Sequence, residues 1–380
     1  MKYGLISSII FLKLRCQQKC GDCIGLLFLE LIIVKANPLI APIIMDLKTT
    51  YMGIELKNPI IIGASNLVLD LEMAKKLEAA GAAALVYKSL FEEQLHLEAA
   101  ELEDELHEYD ERHAEMISLF PNIEHSGPKA HLLALKKLKE SVSIPVFASL
   151  NCTYDVSWVD YAKYLEETGV DGLELNFYST ISDVEKSSTQ IEDARIEILQ
   201  KIKAAVKIPV SVKLSPFYTN MMNVVYRLDK NGADGFVLFN RLFQPDIDIK
   251  EEKMRVPYNL SHKGDNRLAL RFAGLLAGNV NGSICSNTGI SDGEDVITML
   301  LAGADAVQVV STVYKNGVIQ ITRMLDELGA WMKGKGYDCI DDFKGKLSKK
   351  NSTDPHAYKR AQYVDYLMKA KTYLKKYPVN

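Results

Sequence analysis

Long apolar runs are missing from this sequence. The stretch at residues 24–34 is broken by Glu30 and falls short of the ~20 residues that span a bilayer, so no stable membrane insertion is expected. A secretory signal fits poorly too, because basic residues and three cysteines precede the stretch and no small-residue cleavage site follows it cleanly. Positive charge is not in excess. Lysine and arginine number 45 against 49 aspartates and glutamates, the net charge is −4, and no basic block occurs, so nucleic acid is not an expected partner. Cysteine is scarce, with Cys16, Cys20 and Cys23 crowded at the start and Cys152, Cys285 and Cys339 far apart. That is no disulfide framework, and a reducing, cytoplasmic location is the expectation. No G-x-G-x-x-G opens a strand–helix unit, which argues against a dinucleotide site.

What remains is an ordinary globular composition, 48% hydrophobic and 25% charged over 380 residues, enough for one large barrel or two average domains. Residues 1–44 read as a separate N-terminal extension. Its cysteines form C-x3-C-x2-C, a spacing able to ligate an iron–sulfur cluster, and its apolar stretch could act as an interfacial anchor. The reading preferred over both is a true start at Met45, where MDLKTTYMGIELKNP begins. No metal site is expected. A C-terminal helical tail is expected over 346–380.

From Met45 a unit repeats: a short β-branched run, an amphipathic stretch, then a glycine. One set of strand lead-ins ends a helix in glycine and a small or acidic pair, as in AAGAAALVYKS (79–89), ETGVDGLELNF (167–177), KNGADGFVLFN (230–240) and LAGADAVQVVS (301–311). The other opens a strand with X-Pro, as in KNPIIIGAS (57–65), SIPVFASLN (143–151) and KIPVSVKLS (207–215), with GSICSNTG (282–289) completing the set. Glycine suits the left-handed position after a helix, and proline can only open a strand. Interleaved, the sets predict strands starting near 58, 83, 145, 171, 209, 234, 282 and 306. Each run is apolar on both faces, as a buried parallel strand must be. Eight such units specify a (β/α)8 TIM barrel over 45–345, with long loops after strands 2 and 6 on the face where such barrels place their chemistry.

Polar residues ending otherwise apolar strands are the site candidates. They are Ser65, Lys88, Ser89, Asn151, Asn176, Lys213, Asn240, Arg241, Asn287, Thr288, Gly289, Ser311 and Thr312. A lysine in a buried strand is costly unless an anion meets it or it is held neutral. Lys88 and Lys213 fit that description. Their plainer alternative is snorkelling, or pairing with a carboxylate such as Glu174. SNTGISDG (286–293) and VVST (309–312) look like a phosphate grip, with Gly289 admitting close backbone approach and Ser311 or Thr312 adding a hydroxyl.

These motifs resemble the dihydroorotate dehydrogenase family over nearly all of residues 46–345. NPIIIGAS is similar to its opening strand and VYKS to its T-K-S. GLELN is similar to E-L-N, VKLSP to V-K-L-x-P, and NTGISDGEDV to G-G-I-x-x-x-x-D-A. The resemblance implies a TIM barrel carrying FMN that oxidises dihydroorotate to orotate in pyrimidine (UMP) biosynthesis. It implies that Lys88 and Ser89 touch flavin, with Lys88 also near substrate, and that Asn176 and Asn240 bind the pyrimidine. It places Lys213 at the flavin N1 edge, Gly289 and Ser311 on the phosphate, and Ser65, Asn151, Thr288 and Thr312 among the cofactor contacts. Hydride would leave substrate C6 while a base takes the C5 proton. Ser179 stands at the base position, beside Tyr178, without the family's following Pro-Asn; Arg241 replaces a small residue and brings a cation towards the substrate. Cys152 and Cys285 read as buried thiols. The expected partners are a small anionic pyrimidine-like substrate and a second copy of the chain. Other readings are a different small anion met by Arg241, a flavin-free Schiff-base lyase using Lys88 or Lys213, and a non-catalytic FMN protein.

Overall fold

The computed structural model describes residues 45–93, 127–152, 155–179, 183–241, 245–255, 260–354 and 358–369. The chain divides into Met1–Met45 and Asp46–Asn380, and every described element belongs to the second unit. Residues 1–44, most of the loop after strand 2, and the residues after Ser179 that lack the Pro-Asn therefore lie outside the described residues.

Eight parallel strands close on themselves. They are β3 (Ile60–Ile62), β4 (Ala84–Val86), β6 (Val146–Asn151), β7 (Gly172–Asn176), β8 (Val210–Leu214), β9 (Gly235–Leu238), β12 (Ser283–Ser286) and β13 (Ala306–Val309). Each pairs with the next, β4 joins β6, and β13 returns to β3. The observed starts agree with the expected ones to within two residues or so. Three short additions had no signal in the repeat: an antiparallel hairpin of β1 (Thr49–Tyr51) and β2 (Ile54–Leu56), the strand β5 (Leu90–Phe91), and a second hairpin of β10 (Asp246–Asp248) and β11 (Lys253–Arg255) within the loop after strand 6. Between the strands run α1 (Leu71–Ala79), α2 (Gly127–Ser141), α3 (Asp155–Glu167), α4 (Ser188–Ala205), α5 (Met221–Lys230), α6 (Arg267–Leu276) and α7 (Gly293–Ala302). After β13 come the short α8 (Ser311–Asn316) and the long α9 (Ile319–Lys335); α10 (Ala361–Met368) lies near the C-terminus.

The lead-in glycines Gly81, Gly169, Gly232 and Gly303 all have positive φ, so the repeat marks helix ends that a side chain would strain. The acidic residue after three of them has its own task. Asp171 and Asp234 accept the first amide of the neighbouring strand, from Val146 and Val210, both at 2.7 Å, and Asp305 accepts the second, from Ile284, at 2.8 Å. Each also meets a lysine, Lys139, Lys203 or Lys344. The G-V-D and G-A-D signatures are thus strand-to-strand clamps that satisfy a backbone donor at the barrel's lower rim.

Below the clamps the hairpin β1–β2 plugs the barrel. Tyr51 and Met52 pack with Phe147, Val237, Cys285 and Ala306 into a buried apolar cluster, Tyr51 and Phe147 meeting edge to face at 5.9 Å. Gly172 and Gly235 make room for it, since a Cβ at Gly235 would lie 2.9 Å from Met52 Cγ and one at Gly172 3.1 Å from Met52 Cε.

Candidate active site at the barrel mouth

Alternation along the strands sets what faces the barrel axis. Phe147, Ser149 and Asn151 share one face of β6, Glu174 and Asn176 one face of β7, and Ser211 and Lys213 one face of β8. The register pairs Glu174 with Ser211 and Asn176 with Lys213. Inward residues therefore turn from apolar below to polar above.

Lys213 does find an anion, and it is Glu174. Its Nζ donates to Glu174 Oε1 at 3.3 Å and to Gln308 Oε1 at 3.4 Å, while Gln308 Nε2 donates to Glu174 Oε2 at 2.6 Å. Ser149 Oγ adds a third bond to the carboxylate at 3.4 Å. Glu174 and Gln308 are each 1% exposed and Lys213 6%, so the charges are held almost without water. A buried pair of this kind is tolerable because its remaining polar atoms are satisfied.

Above this triangle opens a cavity of about 190 Å³, lined by Lys213, Gln308, Asn240, Arg241, Ser261, the Asn287–Ile290 turn and the Val309–Ser311 segment, with Ala64. Its rim is rich in donors. The amides of Gly289 and Ile290 have no acceptor among the described residues. Ser311 Oγ accepts the Ser261 amide at 3.0 Å, which leaves its hydroxyl proton free to donate. Thr288 and Gly289 both adopt left-handed backbone, φ 70° and 74°. A Cβ at Gly289 would stand 2.6 Å from the Asn266 nitrogen, so only glycine fits. Thr288, β-branched, is held there by its hydroxyl donating to Phe239 O at 3.1 Å.

Other expected residues join the cavity indirectly. Asn240 Nδ2 donates to Asn176 Oδ1, Asn176 Nδ2 to Ser89 Oγ at 3.5 Å, and Ser89 shares a 2.7 Å hydrogen bond with Ser149. One chain of polar groups thus runs from Asn240 to the carboxylate of Glu174. Lys88, half-buried at the end of β4, meets no carboxylate among the described residues. Three residues brace the frame instead. Asn151 Nδ2 holds the carbonyls of Asn176 and Tyr178 at 2.6 and 2.9 Å, Thr312 Oγ1 donates to Ser291 O at 2.9 Å, and Ser65 Oγ donates to Gly63 O at 3.1 Å.

Two expectations change. Arg241 lines the cavity, but its guanidinium is paired with Asp265 at 2.8 Å, so its charge is already met. Burial would raise the Asp265 carboxyl; the His262 amide and Arg241 outweigh it and hold it below the usual carboxylate range. Ser179 is not brought to this cavity. It is exposed, accepts a 2.8 Å hydrogen bond from Arg195, and lines a second cavity of about 320 Å³ with Cys152, Trp158 and Phe177. The thiols of Cys152 and Cys285 are pushed up by burial, with nearby carboxylates adding to it, which keeps both protonated and inert. Gln308, Ser261 and Asp265 carried no signal in the sequence beyond being polar.

The comparisons with known proteins agree with this geometry. The family model for dihydroorotate dehydrogenase matches residues 108–332, more than half of the chain. A dihydroorotate dehydrogenase A (fumarate) of Lactobacillus helveticus is 31% identical over 219 residues, 56% of this chain and 71% of the relative. The catalytic subunit of a dihydroorotate dehydrogenase B (NAD(+)) of Thermoplasma volcanium is 28% identical over 313 residues, 80% of this chain and 99% of the relative. Its counterpart in Methanocaldococcus jannaschii is 27% identical over 294 residues, 76% and 94%. With a closed barrel, a polar mouth and a family model spanning β6 to α9, the chain belongs to the dihydroorotate dehydrogenase family and is an oxidoreductase.

Proposed function

We propose that this enzyme oxidises dihydroorotate to orotate, using FMN held at the barrel mouth, in pyrimidine synthesis. The observation that carries the reading is one cavity uniting a buried lysine with a donor-rich turn after β12 and β13. The residues fit the cofactor. Free amides at Gly289 and Ile290 and the Ser311 hydroxyl suit a phosphate, and Lys213 presents positive charge deeper in. FMN, when bound, supplies a two-electron acceptor. Lys213, fixed in advance by Glu174 and Gln308, would offer positive charge to that acceptor without reorganisation. Asn240 and Asn176 are joined by a hydrogen bond and offer amide groups to a planar imide-bearing ring. Lys88 and Ser89 serve the same ligand region.

Ser179 lines the other cavity, and we assign it no part in the proton transfer. The Schiff-base reading is weakened at Lys213, because a lysine donating to both a carboxylate and an amide oxygen is not a free nucleophile. The different-anion reading loses its cation, because Arg241 is paired.

The test is direct. Purified protein should be yellow, release FMN on heating, and bleach when dihydroorotate is added without oxygen. Release of FAD, or a flavin that dihydroorotate leaves oxidised, overturns the reading.

A further inference from the structure

The second cavity has a chemistry that the proposed reaction leaves unused. Its walls come from the ends of β6 and β7 and from α3 and α4, outside the barrel axis. Trp158 and Phe177 meet edge to face at 5.4 Å and form an aromatic corner, continued by Ile191, Ala194 and Ile198. Arg195 supplies a cation, and Lys186 a second, while among the described residues no carboxylate lines the space. At about 320 Å³ it is of the size that takes a small organic ligand.

Arg195 is the informative residue. Its guanidinium lies 5.8 Å from the Phe177 ring centre and 5.3 Å from that of Tyr218, so two rings fix it in place. Its hydrogen bonds go to neutral hydroxyls, those of Tyr218 and Ser179. The nearby acids are taken by another residue: Arg227 pairs with Glu192 at 3.6 Å and with Asp193. Among the described residues no carboxylate pairs with Arg195. A positioned planar cation with unmet charge, facing an aromatic corner, is a site for a planar anion.

We propose that this cavity binds a small aromatic carboxylate, its ring against Trp158 and Phe177 and its carboxylate on Arg195. The inference does not rest on the proposed reaction, whose ligand occupies the other cavity.

Benzoate is the probe and the fluorescence of Trp158 the readout, in the full chain, with Trp158→Phe assigning the signal against Trp331. Benzoate should quench saturably, and acetate, which lacks the ring, should not. Losing a charge-assisted bond in Arg195→Gln should weaken benzoate roughly tenfold or more. Ala194→Phe, which fills the space and leaves Arg195 intact, should abolish binding, and Asn240→Ala, in the other cavity, should leave it unchanged. Unaltered thermal midpoints show that each variant folds; a variant that does not fold is replaced by Arg195→Lys, which keeps the charge, loses the planar fork and should bind at an intermediate level. Absence of saturable binding, binding indifferent to both Arg195→Gln and Ala194→Phe, or acetate or phosphate binding as well as benzoate would overturn the proposal.

Discussion

The two ends of the barrel interior are built from the same strands and differ in every other respect. Below, Tyr51, Met52, Phe147, Val237 and Ala306 make a dry apolar plug. Above, Ser149, Glu174, Lys213 and Gln308 make a buried ionic lattice. Two residues of advance along β6, from Phe147 to Ser149, separate the regimes. The plug gains from every apolar area removed from water. The lattice spends desolvation to hold one ammonium in one place, and its net worth to stability is small. One end stabilises the barrel, and the other positions a charge.

Variants can break that contrast. The largest effect is expected at Lys213. Lys213→Met leaves Glu174 buried and uncompensated, which typically costs about 3–5 kcal/mol, and removes a preorganised charge worth ~10²–10³ in rate. Adding Glu174→Gln should restore most of the stability in urea unfolding and none of the rate of flavin reduction. A double variant that recovers the rate would show that the charge is not what the lattice provides. Next comes Phe147→Ala in the plug, expected to cost about 3–5 kcal/mol while flavin reduction in the folded protein stays normal. A matching loss of rate would mean the two ends are coupled. The smallest effect concerns the rim. Asp265 has a depressed carboxyl pKa in the folded chain. Its contribution to stability is therefore present above its unfolded pKa and lost as pH falls through the folded one. Because its side chain is 38% exposed, solvent screens the pair, and Asp265→Asn should only slightly flatten the acid limb of a stability–pH profile. A steepened limb would contradict the depressed carboxyl.

Much of this is legible in the sequence alone. The glycine and X-Pro lead-ins locate seven of the eight strands because helix ends and strand starts are local backbone problems with local solutions. Lys213 stood out because a charge inside VSVKLS demands a partner, and Glu174 was already a candidate. Gln308 did not stand out, since one amide in AVQVV has no local consequence; its bond to Glu174 spans 134 positions. The pairing of Arg241 with Asp265 was hidden for the same reason, and so was Arg195 beneath Ser179. The plug escaped because TTYMGIEL shows nothing but alternation, and its place is set by the space at Gly172 and Gly235. The acid clamps were visible as G-V-D and G-A-D, but their target amides lie on neighbouring strands.

The ionic triangle also decides how far the mouth of the barrel can be felt. Lys213 borders the cavity and Glu174 lies behind it, so together they present a dipole with its positive end outward rather than an isolated charge. A dipole's field falls off faster with distance than that of a single ion. A ligand approaching through salt water meets little pull from this lysine until it is inside the cavity. There, with solvent displaced, the same field acts at full strength. The lattice therefore does little to gather ligands from a distance, and much to orient one that has already arrived.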